Sequence, residues 1–232
     1  MHGSDADDDA AEGHALEENP GAFTMSSILL RPDDARACYV FAHGAGAGMQ
    51  HAFMAAFATG LARRGIATLR YQFPYMEKGS KRPDPPAVAH AAVRAAVAEA
   101  AAQCAGLPLF AGGKSFGGRM TSQAQAKEPL PGVRGLVFVG FPLHPAGKPS
   151  LERAEHLSDV HCPMLFLQGT RDELADVARV RTVIERLGER ATLALFDDAD
   201  HAFHVRASSG RNDEQVRQAM LDATADWIAS RP

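Results

Sequence analysis

The chain has too few cysteines to staple itself together and too few aromatic rings to build a core from them. Cys38, Cys104 and Cys162 are an odd number with no paired spacing, which argues against a disulfide framework or a metal knuckle. Free thiols suit a reducing compartment, so a cytoplasmic location is expected. Aromatic residues make up only 7% of the chain, with a single Trp. Alanine is abundant instead, and it predicts small-sided helices lying close against a sheet. No apolar run reaches the roughly 18 residues that a membrane-spanning helix needs, and the N-terminus lacks the apolar stretch of a secretory signal. No membrane association is expected.

Positive charge is missing from one region. The first 22 residues contain no Lys or Arg, yet hold Asp5, Asp7, Asp8, Asp9, Glu12, Glu17 and Glu18. Such a segment predicts a solvated, disordered acidic tail over residues 1–22, with a single domain over residues 23–232. Beyond the tail, 24 Lys and Arg face 21 Asp and Glu. That near-neutral balance offers no footprint for a nucleic-acid partner. Phosphate-binding signatures are also lacking. The glycine-rich stretch His43-Gly44-Ala45-Gly46-Ala47-Gly48 has no Lys-Ser/Thr ending and no Gly-x-Gly-x-x-Gly spacing. No cofactor and no metal are expected.

What remains is an alternation of elements. Ala37 to Ala42, Ile66 to Tyr71, Leu107 to Gly112, Gly135 to Val139, Met164 to Leu167 and Thr192 to Phe196 read as strands. Several are apolar at every position, as in strands covered on both faces of a parallel sheet. Ser27 to Leu30 is a candidate short strand. Helical patterns lie between the strands, including an alanine-rich helix over 87–103 and helices over 116–127, 176–187 and 213–229. Unbroken alternation predicts an α/β fold, a doubly wound and mostly parallel sheet with helices on both faces.

The stretch Gly113-Lys114-Ser115-Phe116-Gly117 falls where a strand gives way to a helix. Gly-x-Ser-x-Gly in that setting is a nucleophile elbow: a strained turn that lifts the serine hydroxyl at the carboxyl edge of the sheet. A serine hydroxyl needs a histidine to take its proton and an acid to orient that histidine. In doubly wound hydrolases the acid and then the histidine follow the serine in the chain. Asp172 follows one later strand and His201 follows the last, so Ser115, Asp172 and His201 are the catalytic candidates. Helix capping is the other reading of Asp172. Glu173 is an alternative acid, and His204 competes with His201. Backbone N–H groups of Phe116 and Ala45 are the candidate oxyanion donors. His43 is expected to serve as a structural hydrogen-bonding residue. Lys114 should point away from Ser115 and pair with a neighbouring acid.

Gly113 to Met120, Phe141-Pro142-Leu143-His144-Pro145-Ala146-Gly147-Lys148-Pro149 and Gln168-Gly169-Thr170-Arg171-Asp172 resemble the α/β-hydrolase superfamily. Within it, they are similar to the hydrolase-like family that contains testis-expressed protein 30 and a subunit of the NSL histone acetyltransferase complex, which is related to dienelactone hydrolases. The resemblance spans the chain beyond residue 22. It implies a compact serine hydrolase without a large cap, acting on a small-molecule ester or related acyl substrate. Ser115 stands where dienelactone hydrolase has cysteine, so lactone chemistry does not carry over. An acyltransferase or peptidase would use the same triad, and some relatives act as interaction subunits on this scaffold. The leaving group, the acyl chain and the oligomeric state stay open. Segments 72–86 and 140–149 are expected to rim the pocket through Phe73, Tyr75, Met76, Lys78, Lys81, Arg82, His144 and Lys148.

Overall fold

Seven strands form one sheet in the computed structural model, which describes residues 25–231. The expected acidic tail and the domain boundary at residue 23 lie outside the described residues. The strands are β1 (Ser27–Leu30), β2 (Ala37–Ala42), β3 (Ile66–Tyr71), β4 (Leu109–Lys114), β5 (Val133–Val139), β6 (Met164–Gly169) and β7 (Ala191–Phe196). Their spatial order is β1-β3-β2-β4-β5-β6-β7. The helices are α1 (Ala52–Ala62), α2 (Pro74–Glu77), α3 (Pro86–Gln103), α4 (Phe116–Lys127), α5 (Val177–Leu187) and α6 (Asp213–Ala229).

Residues of β2, β3 and β6 are buried at every position. Their side chains alternate between two apolar layers, which explains the unbroken apolar runs. On one face, Ala89, Ala92, Ala96 and Ala100 of α3 pack with α4 and α5. On the other, Met54, Phe57 and Leu61 of α1 meet Val216, Met220 and Leu221 of α6. The small alanine side chains let α3 approach the sheet closely.

There are two departures from strict alternation, and the first has a simple cause. β1 runs antiparallel to β3, with Ser27 opposite Tyr71. Only residues 31–36 join β1 to β2, too few for the dozen or more that a parallel crossover requires. Between β5 and β6 the chain forms a 3₁₀ segment, Glu152–Asp159, rather than an α-helix. Among the described residues, no helix is long and apolar enough to cross a membrane.

Candidate active site

β4 ends at Lys114 and α4 begins at Phe116, leaving Ser115 alone to turn the chain. Ser115 takes φ 50° and ψ −112°, a conformation that L side chains rarely adopt. Its backbone N–H donates to the Val139 carbonyl at 3.0 Å, which anchors the turn to β5. The flanking glycines leave room for the turn. A Cβ on Gly113 would stand 2.5 Å from the Ala42 carbonyl oxygen, and one on Gly117 would stand 2.6 Å from the carbonyl oxygens of Ala42 and His43.

Ser115 Oγ lies 2.9 Å from His201 Nε2, and His201 Nδ1 lies 2.7 Å from Asp172 Oδ2. A carboxylate only accepts hydrogen bonds, so Nδ1 carries the proton and Nε2 is free to accept from the serine hydroxyl. The Asp172 side chain is fully buried and that of His201 is 26% exposed. Leu174 N–H donates to Asp172 Oδ1 at 2.8 Å, and Gln168 Nε2 donates to Oδ2 at 2.6 Å. Gln168 in turn accepts from Phe141 N–H at 3.0 Å, so both ends of its amide are held. The helix after Asp172 is capped by Asp176, whose side chain accepts from Arg179 N–H. Asp172 is therefore not spent on capping.

The loop carrying His201 is built by its own short bonds. Asp200 Oδ1 accepts from the N–H groups of Ala202 and His204, and Asp198 and Phe203 adopt positive φ. Several ties join this loop to the Asp172 loop, among them an Arg171–Asp198 contact. Arg171 N–H donates to Ala199 O at 2.9 Å, and Asp198 N–H donates to Thr170 Oγ1 at 2.8 Å. His204 instead pairs with Asp213 at 2.9 Å, with a side chain 65% exposed. Glu173 is exposed.

Lys114 departs from expectation. Its Nζ donates to the His201 carbonyl at 2.6 Å rather than pairing with an acid, with no carboxylate within ion-pair distance among the described residues. The returning His201 loop covers the end of β4 and presents a carbonyl there. Burial lowers the Lys114 pKa to about 8, opposed by the charges of Asp172 and Asp200.

Ala45 and Phe116 border the same cleft as Ser115. Neither backbone N–H donates to another group among the described residues. His43 has the structural role read from the sequence. Its Nε2 accepts from Phe73 N–H at 3.0 Å, which leaves Nδ1–H to donate to Gly44 O at 2.8 Å. Burial lowers the pKa of His43 and favours this neutral form.

The cleft has a volume of about 350 Å³. Segments 72–86 and 140–149 both border it, as expected, but through other residues than those named from the sequence. Phe73 and Tyr75 are buried and pack edge-on against Phe116, beneath the cleft rather than around it. Lys78, Lys81, Arg82 and Lys148 are exposed, and Met76 packs against the core. His144 is buried near Asp176. The walls come instead from Pro83, Asp84, Pro86 and Pro142, together with Arg119 and Arg153. Gln168, Arg119 and Arg153 escaped the sequence reading. Arg119 had a weak signal, because it stands in the first turn of the helix that follows Ser115. A smaller hollow, about 250 Å³, lies at the opposite edge of the sheet against Ile66, Pro108 and Ile228, far from Ser115 in the fold.

A doubly wound sheet that presents a serine elbow at its carboxyl edge, without a large cap over it, defines an α/β-hydrolase architecture. The chain belongs to that family: the alpha/beta hydrolase domain model matches residues 35–229. Its fold is similar to that of a dienelactone hydrolase from Anabaena variabilis ATCC 29413, with TM-score 0.74 and 21% identity over 91% of this chain and 94% of that one. It also resembles an α/β serine hydrolase without lid from Xanthomonas campestris, with TM-score 0.67 and 23% identity over 88% and 89% of the two chains. Est1E from Butyrivibrio proteoclasticus, solved with ferulic acid bound, matches with TM-score 0.66 and 16% identity over 87% and 96%.

Proposed function

We propose that the protein is a serine hydrolase that cleaves esters or related small acyl substrates through an acyl-enzyme intermediate. The observation that carries this reading is the continuous line from Ser115 Oγ through His201 to Asp172, at 2.9 and 2.7 Å. His201 Nε2 takes the hydroxyl proton as Ser115 attacks the carbonyl carbon. Asp172 holds the ring in the required tautomer and stabilises the imidazolium that forms. The N–H groups of Phe116 and Ala45 receive the developing oxyanion, and Phe116 lies where the dipole of α4 also favours negative charge. His201 then returns the proton to the departing alcohol. Water enters the open cleft, gives a proton to His201 and attacks the acyl carbon; the bond to Ser115 Oγ then breaks, the acid leaves, and His201 returns the proton to Ser115 Oγ.

The test is covalent labelling with a fluorophosphonate probe. Wild type should label and hydrolyse p-nitrophenyl acetate, and Ser115→Ala should do neither. Labelling that persists in Ser115→Ala would sink the assignment. A wild type inert to both reagents would point to a binding role on the same scaffold.

A further inference from the structure

Two arginines enter the Ser115 cleft with no anion to meet them. We propose that Arg119 and Arg153 receive a carboxylate carried by the substrate, so that the preferred ester bears an anionic group a few bonds from its scissile carbonyl. This inference rests on the hydrolase reading and adds a substrate class to it.

Arg119 lies in the first turn of α4, and its backbone N–H donates to the Ser115 carbonyl at 3.1 Å. Its side chain and Ser115 line the same cleft, so the guanidinium borders the space open to a substrate at Ser115. Arg153 comes from the 3₁₀ segment before β6 and lines the same cleft. Among the described residues, neither arginine forms an ion pair, and neither guanidinium donates a hydrogen bond. Arg64, Arg94, Arg171 and Arg179 all have carboxylate partners.

Arg119 Nε is buried without any partner. Burial lowers the pKa of Arg119, and the like charge of Arg153 lowers it further. A guanidinium nonetheless keeps its proton at any working pH. Two like charges thus share one cleft, one of them partly desolvated and unsatisfied. A carboxylate arriving there gains charge-assisted hydrogen bonds from a planar fork suited to it and relieves the repulsion. Phe116, whose ring centroid is 5.9 Å from the Arg119 guanidinium carbon, supports that fork from one side. His156 adds no charge near neutral pH, because burial, and then Arg119 itself, push its pKa down to about 4. Asp84 also lines the cleft, but its Oδ2 accepts from Tyr75 N–H at 2.7 Å and pairs with neither arginine.

Matched esters test the proposal: p-nitrophenyl hemiglutarate against p-nitrophenyl valerate for a carboxylate on the acyl side, and 3-carboxyphenyl butyrate against phenyl butyrate for one on the alcohol side. In at least one pair, wild type should favour the anionic ester by about tenfold or more in kcat/KM at low ionic strength. That preference should fall toward one in both Arg119→Gln and Arg153→Gln. Arg153 sits on a peripheral segment, so its variant keeps the test sound if Arg119→Gln folds poorly. No preference in either pair, or a preference untouched in both variants, overturns the proposal while leaving the hydrolase reading intact. If no ester turns over and Ser115 does not label, the hydrolase reading fails by itself. Calorimetric titration with glutarate then decides: binding weakened about tenfold or more in both variants supports the arginine site, and absent binding refutes it.

Discussion

The ammonium of Lys114 donates to the main-chain carbonyl of His201 at 2.6 Å, joining the strand that precedes Ser115 to the loop that holds His201. The proposed base is thus fixed from two sides, by Asp172 at its ring and by Lys114 at its backbone. Lys114→Met should lower kcat for p-nitrophenyl acetate by on the order of 10- to 100-fold, because small misplacements of reacting groups are costly. Steady-state kinetics checks this, and an unchanged kcat would remove Lys114 from the positioning apparatus.

The same lysine gives stability a pH dependence. Its pKa is about 8 in the folded protein against an ordinary 10.5. Between those values the unfolded chain binds more protons than the native one, so stability rises with pH. The cost of holding the charged form is full below pH 8 and disappears as pH climbs through 10.5. The stability of wild type relative to Lys114→Met should therefore improve across that window. Urea unfolding of both proteins at pH 7.5 and pH 10 measures the change.

His201 and His204 should separate cleanly. His201→Ala is expected to lower kcat on the order of 10³-fold or more, as loss of a general base does in such triads. His204→Ala removes only an exposed contact to Asp213 and should stay within about threefold of wild type. Parallel assays with p-nitrophenyl acetate decide, and the opposite ranking would transfer the base to His204.

Gln168→Leu should cost both stability and activity. It withdraws one donor from Asp172 and leaves the buried Phe141 N–H without an acceptor. An unsatisfied buried polar group costs about 1–3 kcal/mol. A lower urea midpoint together with a reduced kcat is the expected pair of readings.

Gly117→Ala should damage the fold itself. The new Cβ would stand 2.6 Å from two backbone carbonyl oxygens that cannot swing aside like the end of a side chain. A loss of about 3 kcal/mol or more, or insoluble protein, is expected. Thermal unfolding reads the effect, and a wild-type melting temperature would show that the elbow has slack.

The alternation of strands and helices was legible because each buried strand left an uninterrupted apolar run. The positions of Ser115, Asp172 and His201 were legible for the same reason, since each follows such a run at the carboxyl edge. The antiparallel course of β1 was not, because four apolar residues carry no direction. Segment 72–86 does border the cleft, through Pro83, Asp84 and Pro86, but the residues named for that role were the wrong ones. That segment looks like an open polar loop, yet Phe73 and Tyr75 turn inward under Phe116, and its cations face solvent. Arg153 left no local trace, because only the packing of the 3₁₀ segment brings it near Ser115. The partner of Lys114 was hidden in kind: a side-chain pattern does not reveal a backbone carbonyl supplied by a loop from the far end of the chain.

The walls of the cleft and the props of the reacting groups are largely different residues. Pro83, Pro86, Pro142 and Arg153 border the opening, while Gln168, Lys114 and the ties between the Asp172 and His201 loops lie on or beneath the sheet edge. Drift in the walls leaves the alignment of serine, histidine and acid undisturbed. Substitutions in these peripheral segments reshape the opening without moving the groups beneath it, and loop grafting onto this chain has the same freedom.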